Sequence, residues 1–216
     1  MVEQRTHNPL VAGSNPAGPT SFQGDLMKLL EEAIKNYGVI KDNDIVSVNK
    51  FLNHQIDINL VDAMAEEFIR IFSDCNINKV LTVETSGIPI AYPVAQKLDV
   101  PLIIAKKKTN VNVNNNVFSS KVISYTHFRE YDVVVEKQYL NKEDSVLVID
   151  DILANGSSLK GLLSIMDQSD ANLCGVGVAI EKSFQKGSEF REQGYRIESL
   201  ANIKLIDLDN QRIEFC

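Results

Sequence analysis

Two adjacent carboxylates, Asp150 and Asp151, are the residues of this sequence best suited to chemistry. They follow four apolar residues, 146–149, which have the composition of a strand buried on both faces of a parallel sheet. The carboxyl ends of such strands form the edge at which open α/β sheets bind their ligands. We therefore expect both carboxylates at a binding edge, where they could accept hydrogen bonds from sugar hydroxyls or hold a Mg²⁺ ion.

A run of small and polar residues follows the acid pair, and apolar residues at helical spacing come after it. The run consists of Ala154, Asn155, Gly156, Ser157 and Ser158. Such a loop before a helix can direct several backbone N–H groups and the positive end of the helix dipole at a phosphate. Because carboxylates would repel a phosphate, the two features together favour a sugar phosphate, with its diol on the acids. An acidic strand-turn-helix connection without a ligand is the alternative.

The composition limits the kinds of protein that this chain can be. Its 216 residues suffice for one domain with a core, and 44% hydrophobic with 24% charged residues are typical of globular proteins. The formal net charge of −7 argues against nucleic-acid binding, and no apolar run reaches the ~20 residues of a membrane helix. Cys75, Cys174 and Cys216 lie too far apart for a metal or disulfide pattern, which favours the cytoplasm.

The elements that must position these residues alternate between strands and helices. The pattern predicts a helix from Met27 that is capped by Gly38, and a second helix that is capped by Asn59. It also predicts buried strands at residues 80–83 and 101–105, each followed by a change of pattern. This alternation predicts a mainly parallel sheet with right-handed crossovers.

The first 26 residues differ from the rest of the chain. Three prolines and two glycines lie between His7 and Thr20, without a hydrophobic period or a signal-peptide pattern. Residues 11–20 resemble the conceptual translation of a transfer-RNA gene. We therefore expect residues 1–26 to be a disordered tail that is not native, ahead of a single domain at 27–216. A natural disordered arm is the alternative.

A second turn of small residues, Thr85, Ser86 and Gly87, follows the strand at residues 80–83. Its backbone amides and hydroxyls can face an anion, although taken alone it would be a plain connection.

Three lysines, Lys106, Lys107 and Lys108, begin where the next strand is expected to end, ahead of an asparagine-rich segment. A lysine run is most often a solvated surface, and such segments are usually mobile loops. This run, however, is expected at the ligand edge of the sheet.

The acid pair and the loop after it resemble the ribose-5-phosphate signature of the type I phosphoribosyltransferases. The resemblance implies an α/β fold with a mainly parallel sheet, a small base-binding hood and a flexible active-site loop. It implies that Asp150 and Asp151 hold the ribose hydroxyls of 5-phosphoribosyl pyrophosphate (PRPP), with Mg²⁺ held mainly by PRPP oxygens nearby. It also implies that residues 154–158 bind the 5′-phosphate, although many members have Thr-Thr-Gly or Asp-Thr-Gly where this chain has Ala-Asn-Gly.

The same resemblance extends to the other two features. Thr85, Ser86 and Gly87 match the pyrophosphate loop, and Lys106 stands at the start of the flexible loop. In the family, basic residues of that loop meet the pyrophosphate, often across a homodimer.

Three segments in this order, 51–57, 150–156 and 180–185, resemble the bacterial xanthine-specific branch of the family. This implies transfer of the phosphoribosyl group from PRPP to N9 of xanthine in purine salvage, by a cytoplasmic homodimer that binds neither nucleic acid nor membranes. The alternatives are a hypoxanthine-guanine or adenine enzyme of the family, and a non-catalytic PRPP-sensing purine regulator.

The resemblance places Val46, Asn53 and Lys182 at purine-contacting positions. Phe184 offers a ring face for stacking, although a Lys and a Phe beyond a strand end are often a surface pair. Related hypoxanthine-guanine enzymes have an aspartate at the position of Ala154, where it can manage the N7 proton. Xanthine needs such help least because it ionises near neutral pH, so we expect xanthine to be preferred. We expect adenine to be rejected because its C6 amine would face the Lys182 ammonium donor to donor.

Overall fold

The structure is a computed structural model that describes residues 20–41, 45–108, 116–124 and 129–216. Its helices are α1 (Thr20–Tyr37), α2 (Ile58–Ile71), α3 (Ile88–Leu98) and α4 (Ser157–Ser169). Its strands are β1 (Val39–Lys41), β2 (Ile45–Ser47), β3 (Lys79–Val83), β4 (Leu102–Lys108), β5 (Val117–Ser124), β6 (Arg129–Glu136), β7 (Ser145–Leu153), β8 (Asn172–Lys182), β9 (Ile197–Asp207) and β10 (Arg212–Phe215). A π-helical turn spans Asn49–Asn53, and 3₁₀ turns span Lys137–Tyr139 and Lys186–Phe190. None of the described helices is long and apolar enough to cross a membrane.

Eight strands form one sheet in the order β10-β9-β8-β7-β3-β4-β6-β5. The central pairs, from β9 to β4, are parallel, whereas β10, β6 and β5 add antiparallel pairs at the two ends. Strands β1 and β2 form a separate antiparallel pair. The predicted mainly parallel sheet is therefore confirmed, and all carboxyl ends of its central strands meet at one edge.

Both faces of the sheet are covered, which explains the apolar runs of the central strands. On one face Leu147 packs in a cluster with Phe68 of α2 and Ile90 of α3. On the other face Val148 packs in a cluster with Leu162 of α4, together with residues of β5 and β6. Because successive side chains of β7 point to opposite faces, this strand anchors both halves of the core.

Two helix termini differ from the sequence predictions. Helix α1 begins at Thr20, earlier than the predicted Met27, whereas residues 1–19 of the expected tail lie outside the described residues. The predicted end of α1 is confirmed, since the Gly38 N–H donates to Ile34 O at 2.9 Å. The cap of α2 is Asp57 and not Asn59, because the Asp57 carboxylate accepts the backbone N–H groups of Asn59 and Leu60 at 3.1 and 3.2 Å.

The segment after β3 and α3 is more regular than predicted. Strand β4 continues through Lys108 because its last three residues pair with β6, with Lys107 opposite Val133. The flexible loop that was expected to begin at Lys106 is therefore strand as far as Lys108, and β5 begins at Val117, whereas residues 109–115 lie outside the described part of the chain.

Candidate active site

Segments that are far apart in the sequence surround one cavity of about 720 Å³. The residues expected at a site that line it are Val46, Asn53, Ser86, Asp150, Ala154, Asn155, Gly156, Ser157 and Ser158. Among the other lining residues are Lys41, Asn49, His54, Lys107, Ile123 and Tyr131. Six residues that were predicted at the site do not line this cavity, namely Thr85, Gly87, Lys106, Asp151, Lys182 and Phe184. The cavity thus joins β1 and β2, which we call the hood strands, with the turn after β3 and the loop after β7.

The acid pair lies inside β7 and not beyond its end. The strand was expected to finish at Ile149, but it remains paired with β8 as far as Leu153, opposite Glu181. Asp150 and Asp151 are both buried, and the Asp151 N–H donates to Asp150 Oδ1 at 2.9 Å. Asp150 lines the cavity and Asp151 does not, although the two carboxyl groups interact with each other.

The surroundings of Asp150 oppose its ionisation. Burial first, and then the charge of Asp151, raises the pKa of Asp150 well above its usual range, whereas the charge of Lys107 acts to lower it. The carboxylate form would therefore gain from a cation or from hydroxyl donors in the cavity. A free phosphate at this position would meet repulsion.

The loop before α4, residues 154–158, is shaped by a glycine. Gly156 has φ +75° and ψ +15°, a left-handed conformation that other residues rarely adopt. A Cβ atom at Gly156 would also lie 2.5 Å from Phe190 Cε2. Helix α4 begins at the next residue, and the first amides of a helix lack intrahelical partners, so they can donate to an anion in the cavity.

We expect Gly156→Ala to destabilise the fold more than Gly194→Ala. Gly194 also has a positive φ, +91°, but nothing lies within 4 Å of its added Cβ, so it serves as a control for backbone strain alone. Strain costs about 1–2 kcal/mol in either variant, and the Gly156 variant adds the clash with Phe190. Urea unfolding of both variants measures the difference. Equal losses of stability would show that Phe190 yields without cost.

The turn after β3 approaches the acid pair closely. A Cβ atom at Gly87 would lie 2.2 Å from Thr82 Oγ1 and 3.1 Å from Asp150 Oδ1, so only glycine permits this approach. The peptide bond between Glu84 and Thr85 is cis. Gly87 precedes α3, and its neighbour Ser86 faces the cavity, whereas Thr85 does not line it. The turn after β3 thus approaches Asp150, and Ser86 lines the same cavity as Asp150 and residues 154–158.

The structure separates the three lysines of β4. Lys107 lines the cavity, and its Nζ lies 5.3 Å from the centre of the Tyr131 ring. Lys106 and Lys108 line a different cavity of about 520 Å³, and Lys106 Nζ lies 3.1 Å from Glu84 Oε2. Strand alternation separates them, since β4 continues through all three residues. The strand was expected to end at Ala105. The lysine run was therefore predicted at the ligand edge as a whole, with Lys106 as its site residue, and Tyr131 was not predicted there.

Glu84 joins the turn after β3 to this lysine run. Its Oε1 accepts the backbone N–H of Lys107 at 2.6 Å, in addition to the contact with Lys106. Although partial burial acts to raise the pKa of Glu84, the Lys107 N–H and the Lys106 ammonium lower it below its usual range. Glu84 is therefore held as an anion that fixes the main chain of Lys107.

Two of the four positions predicted to contact the base, Val46 and Asn53, line the cavity, whereas Lys182 and Phe184 do not. Val46 of β2 is buried, and Asn53 ends the π-helical turn that follows the hood strands. Lys182 is the last residue of β8 and only 7% exposed, whereas Phe184 is 43% exposed. Lys182 follows Glu181, which is registered with Leu153 in the cavity wall. Lys182 therefore lies on the strand next to β7, whose end lines the cavity, and does not line the cavity itself.

Comparisons with known proteins agree with these features. Residues 47–203 match the model of the phosphoribosyl transferase domain. A xanthine phosphoribosyltransferase of Lachnoclostridium phytofermentans is 43% identical over 190 residues, which cover 88% of this chain and 98% of that protein. A xanthine phosphoribosyltransferase of Clostridium tetani is 48% identical over 180 residues, which cover 82% of this chain and 95% of that protein.

Solved structures show the same fold at low identity. A crystal structure of adenine phosphoribosyltransferase from Thermoanaerobacter pseudethanolicus superposes with a TM-score of 0.69 and 16% identity, covering 82% of this chain and 99% of that one. At this level of identity the likeness concerns the fold alone.

Proposed function

The chain belongs to the phosphoribosyltransferase family, and we propose that it transfers the 5-phosphoribosyl group of PRPP to N9 of xanthine. The products are xanthosine 5′-monophosphate (XMP) and pyrophosphate, and the role is purine salvage. The observation that carries the proposal is that Asp150, the loop at residues 154–158 and the base positions Val46 and Asn53 share one cavity. The names of relatives at 43–48% identity support xanthine as the base.

The carboxyl edge of the sheet holds PRPP. The amides at the start of α4 and the hydroxyls of Ser157 and Ser158 bind the 5′-phosphate, where the helix dipole favours an anion. Asp150 accepts hydrogen bonds from the ribose hydroxyls, and we assign the same role to Asp151 because its carboxyl group interacts with that of Asp150. The turn with Thr85, Ser86 and Gly87 donates to the pyrophosphate.

The hood and the end of β8 hold the base. The Asn53 amide donates to the C2 carbonyl of xanthine, and the Lys182 ammonium donates to the C6 carbonyl and favours an anionic base. Val46 packs on the ring, and Phe184 stacks on it from the turn after β8. In the reaction N9 forms a bond to the anomeric carbon while the bond from that carbon to the pyrophosphate oxygen breaks, through an oxocarbenium-like state.

The residues present fit a magnesium ion that is bound together with PRPP. Within the described parts of the chain, no three His, Cys, Asp or Glu side chains are grouped as metal ligands. Mg²⁺ commonly takes one or two carboxylates and completes its shell with substrate oxygens, and Asp150, which lines the cavity, offers one carboxylate. When bound, the ion neutralises charge on the leaving pyrophosphate.

Incubation of the purified protein with PRPP, xanthine and Mg²⁺ tests the proposal. We expect XMP and pyrophosphate in equal amounts, with no product when a chelator removes the metal. Chromatography identifies the nucleotide, and an enzyme-coupled assay measures the pyrophosphate. Absence of turnover with every purine base, together with tight PRPP binding, would instead support a PRPP sensor.

We expect Lys107→Ala to lower kcat/KM for PRPP roughly tenfold. The variant would lose a hydrogen bond from the Lys107 ammonium to the pyrophosphate of PRPP, and a hydrogen bond to a charged group contributes about 1.5 kcal/mol or more. Lys106→Ala is the matched control, since Lys106 is also exposed and lies on the same strand, but faces the other cavity. It should change kcat/KM less than about twofold, and both variants should keep wild-type stability. The sequence predicted that Lys106 contacts the pyrophosphate. A larger loss of kcat/KM in Lys106→Ala than in Lys107→Ala would support that prediction and contradict the role of Lys107.

A homodimer in the cytoplasm completes the proposal. The three cysteines are free thiols, in agreement with a reducing compartment. The resemblance to the family supports the dimer, and light scattering on the purified protein would measure its mass.

A further inference from the structure

The turn after β8, residues 185–191, contacts both halves of the proposed site, and we call it the support turn. The Gly187 N–H donates to Ala154 O at 2.8 Å, and a Cβ atom at Gly187 would lie 2.4 Å from that oxygen. The Phe190 ring packs against Gly156. The support turn therefore lies directly beneath the loop proposed to bind the 5′-phosphate.

The other contacts of the support turn lead to the end of β8. The Gln185 N–H donates to Lys182 O at 2.9 Å. Arg191 donates to both carboxylate oxygens of Glu181, at 2.5 and 2.6 Å, and its Nε donates to Ile197 O at 3.1 Å. Glu181 is only 2% exposed and immediately precedes Lys182. The ion pair thus fixes the far end of the support turn to the strand that carries the proposed base lysine.

We propose that Glu181 and Arg191 are positioning residues that set the distance between the base and the 5′-phosphate loop. This inference rests on the proposed phosphoribosyl transfer, in which N9 must stand in line with the anomeric carbon. Reacting atoms need a separation of about 3–3.5 Å, and a displacement of about 1 Å can cost a hundredfold in rate. The planar guanidinium suits this task because its two parallel hydrogen bonds fix orientation as well as distance.

A second ion pair provides a matched control for stability. Lys79 Nζ lies 2.8 Å from Asp144 Oδ2, and it also donates to Tyr139 O at 2.7 Å. Asp144 is as well buried as the site carboxylates, but the pair lies at the start of β3 and β7, at the opposite edge of the sheet. Removal of either cation leaves one buried carboxylate without its cationic partner. Only the Arg191–Glu181 pair belongs to the segments next to the proposed site.

The test compares Arg191→Met, Arg191→Lys and Lys79→Met with the wild-type protein, at a temperature where circular dichroism shows each to be folded. We expect Arg191→Met to lower kcat for XMP formation roughly ten- to a hundredfold. Its Kd for PRPP alone, measured by calorimetry, should change less than about threefold. Arg191→Lys should recover only part of kcat, because lysine cannot bond both oxygens in a fixed plane. Lys79→Met should lose stability but keep kcat within about twofold.

Two results would overturn the positioning role of Arg191. A folded Arg191 variant with wild-type kcat overturns the inference, as does a loss of activity that comes entirely from weaker PRPP binding. If Arg191→Met does not fold, Arg191→Lys carries the same criterion. Failure of the proposed function itself is seen separately, as absence of XMP formation by the wild-type protein.

Discussion

We expect Asp150→Asn to lower kcat/KM for PRPP by roughly ten- to a hundredfold while the protein becomes more stable. A carboxylate that accepts from a sugar hydroxyl contributes about 1.5–3 kcal/mol, and asparagine offers a neutral oxygen in its place. Asp151→Asn should show a similar loss in the use of PRPP. The KM for the base should change little in both variants. Steady-state kinetics with PRPP varied at saturating xanthine measures the loss.

The gain in stability follows from the raised pKa of Asp150. Between about pH 4 and that raised pKa, the folded protein holds a proton that the unfolded chain has released, so stability falls as pH rises. Asparagine removes this dependence and keeps an oxygen to accept the Asp151 N–H. The advantage of the variant should therefore grow as pH rises through this range, measured by thermal unfolding without ligand. Wild-type kinetics in both the Asp150 and Asp151 variants would refute the assignment of the diol.

Lys182→Ala should lower kcat/KM for xanthine roughly a hundredfold and leave the Kd for PRPP nearly unchanged. The ammonium is proposed to donate to the C6 carbonyl and to favour the xanthine anion, so its loss removes a charged hydrogen bond from a buried position. The measurement pairs steady-state kinetics in xanthine with calorimetry of PRPP.

Two controls make the Lys182 result specific. Lys182→Met keeps the aliphatic stem, so it separates the loss of the charge from the loss of packing. Lys186→Ala removes an exposed lysine four residues later and should leave both constants unchanged. If Lys182→Ala weakened PRPP and xanthine equally, Lys182 would serve the fold of the site and not the recognition of the base.

Local chemistry was enough to predict the central part of the site. A run of apolar residues, two acids and a small-residue loop has few structural solutions, and the structure brings Asp150 and residues 154–158 together as expected. The end of α1 at Gly38 could also be predicted, because a glycine that follows an amphipathic helix commonly closes its last turn.

Features that depend on pairing between distant segments could not be predicted from the sequence. Strand β4 reaches Lys108 only because β6 lies beside it, and this pairing decides that Lys107 and not Lys106 faces the cavity. The bond between Glu181 and Arg191 also requires the turn to fold back on β8, which no local pattern indicates. The cap of α2 shows a smaller ambiguity, since Asp57 and Asn59 are both good capping residues and only the backbone selects between them.

Competition among the four purine bases for limiting PRPP is the most direct test of the central claim. At neutral pH and equal concentrations, the ratio of the nucleotides formed gives the ratio of the kcat/KM values. We expect XMP to exceed the guanine and hypoxanthine products. Adenine should be rejected by about 10⁴-fold or more, because its C6 amine would face the Lys182 ammonium donor to donor. If the hypoxanthine or adenine nucleotide were the main product, the roles given to Ala154, Asn53 and Lys182 would be wrong.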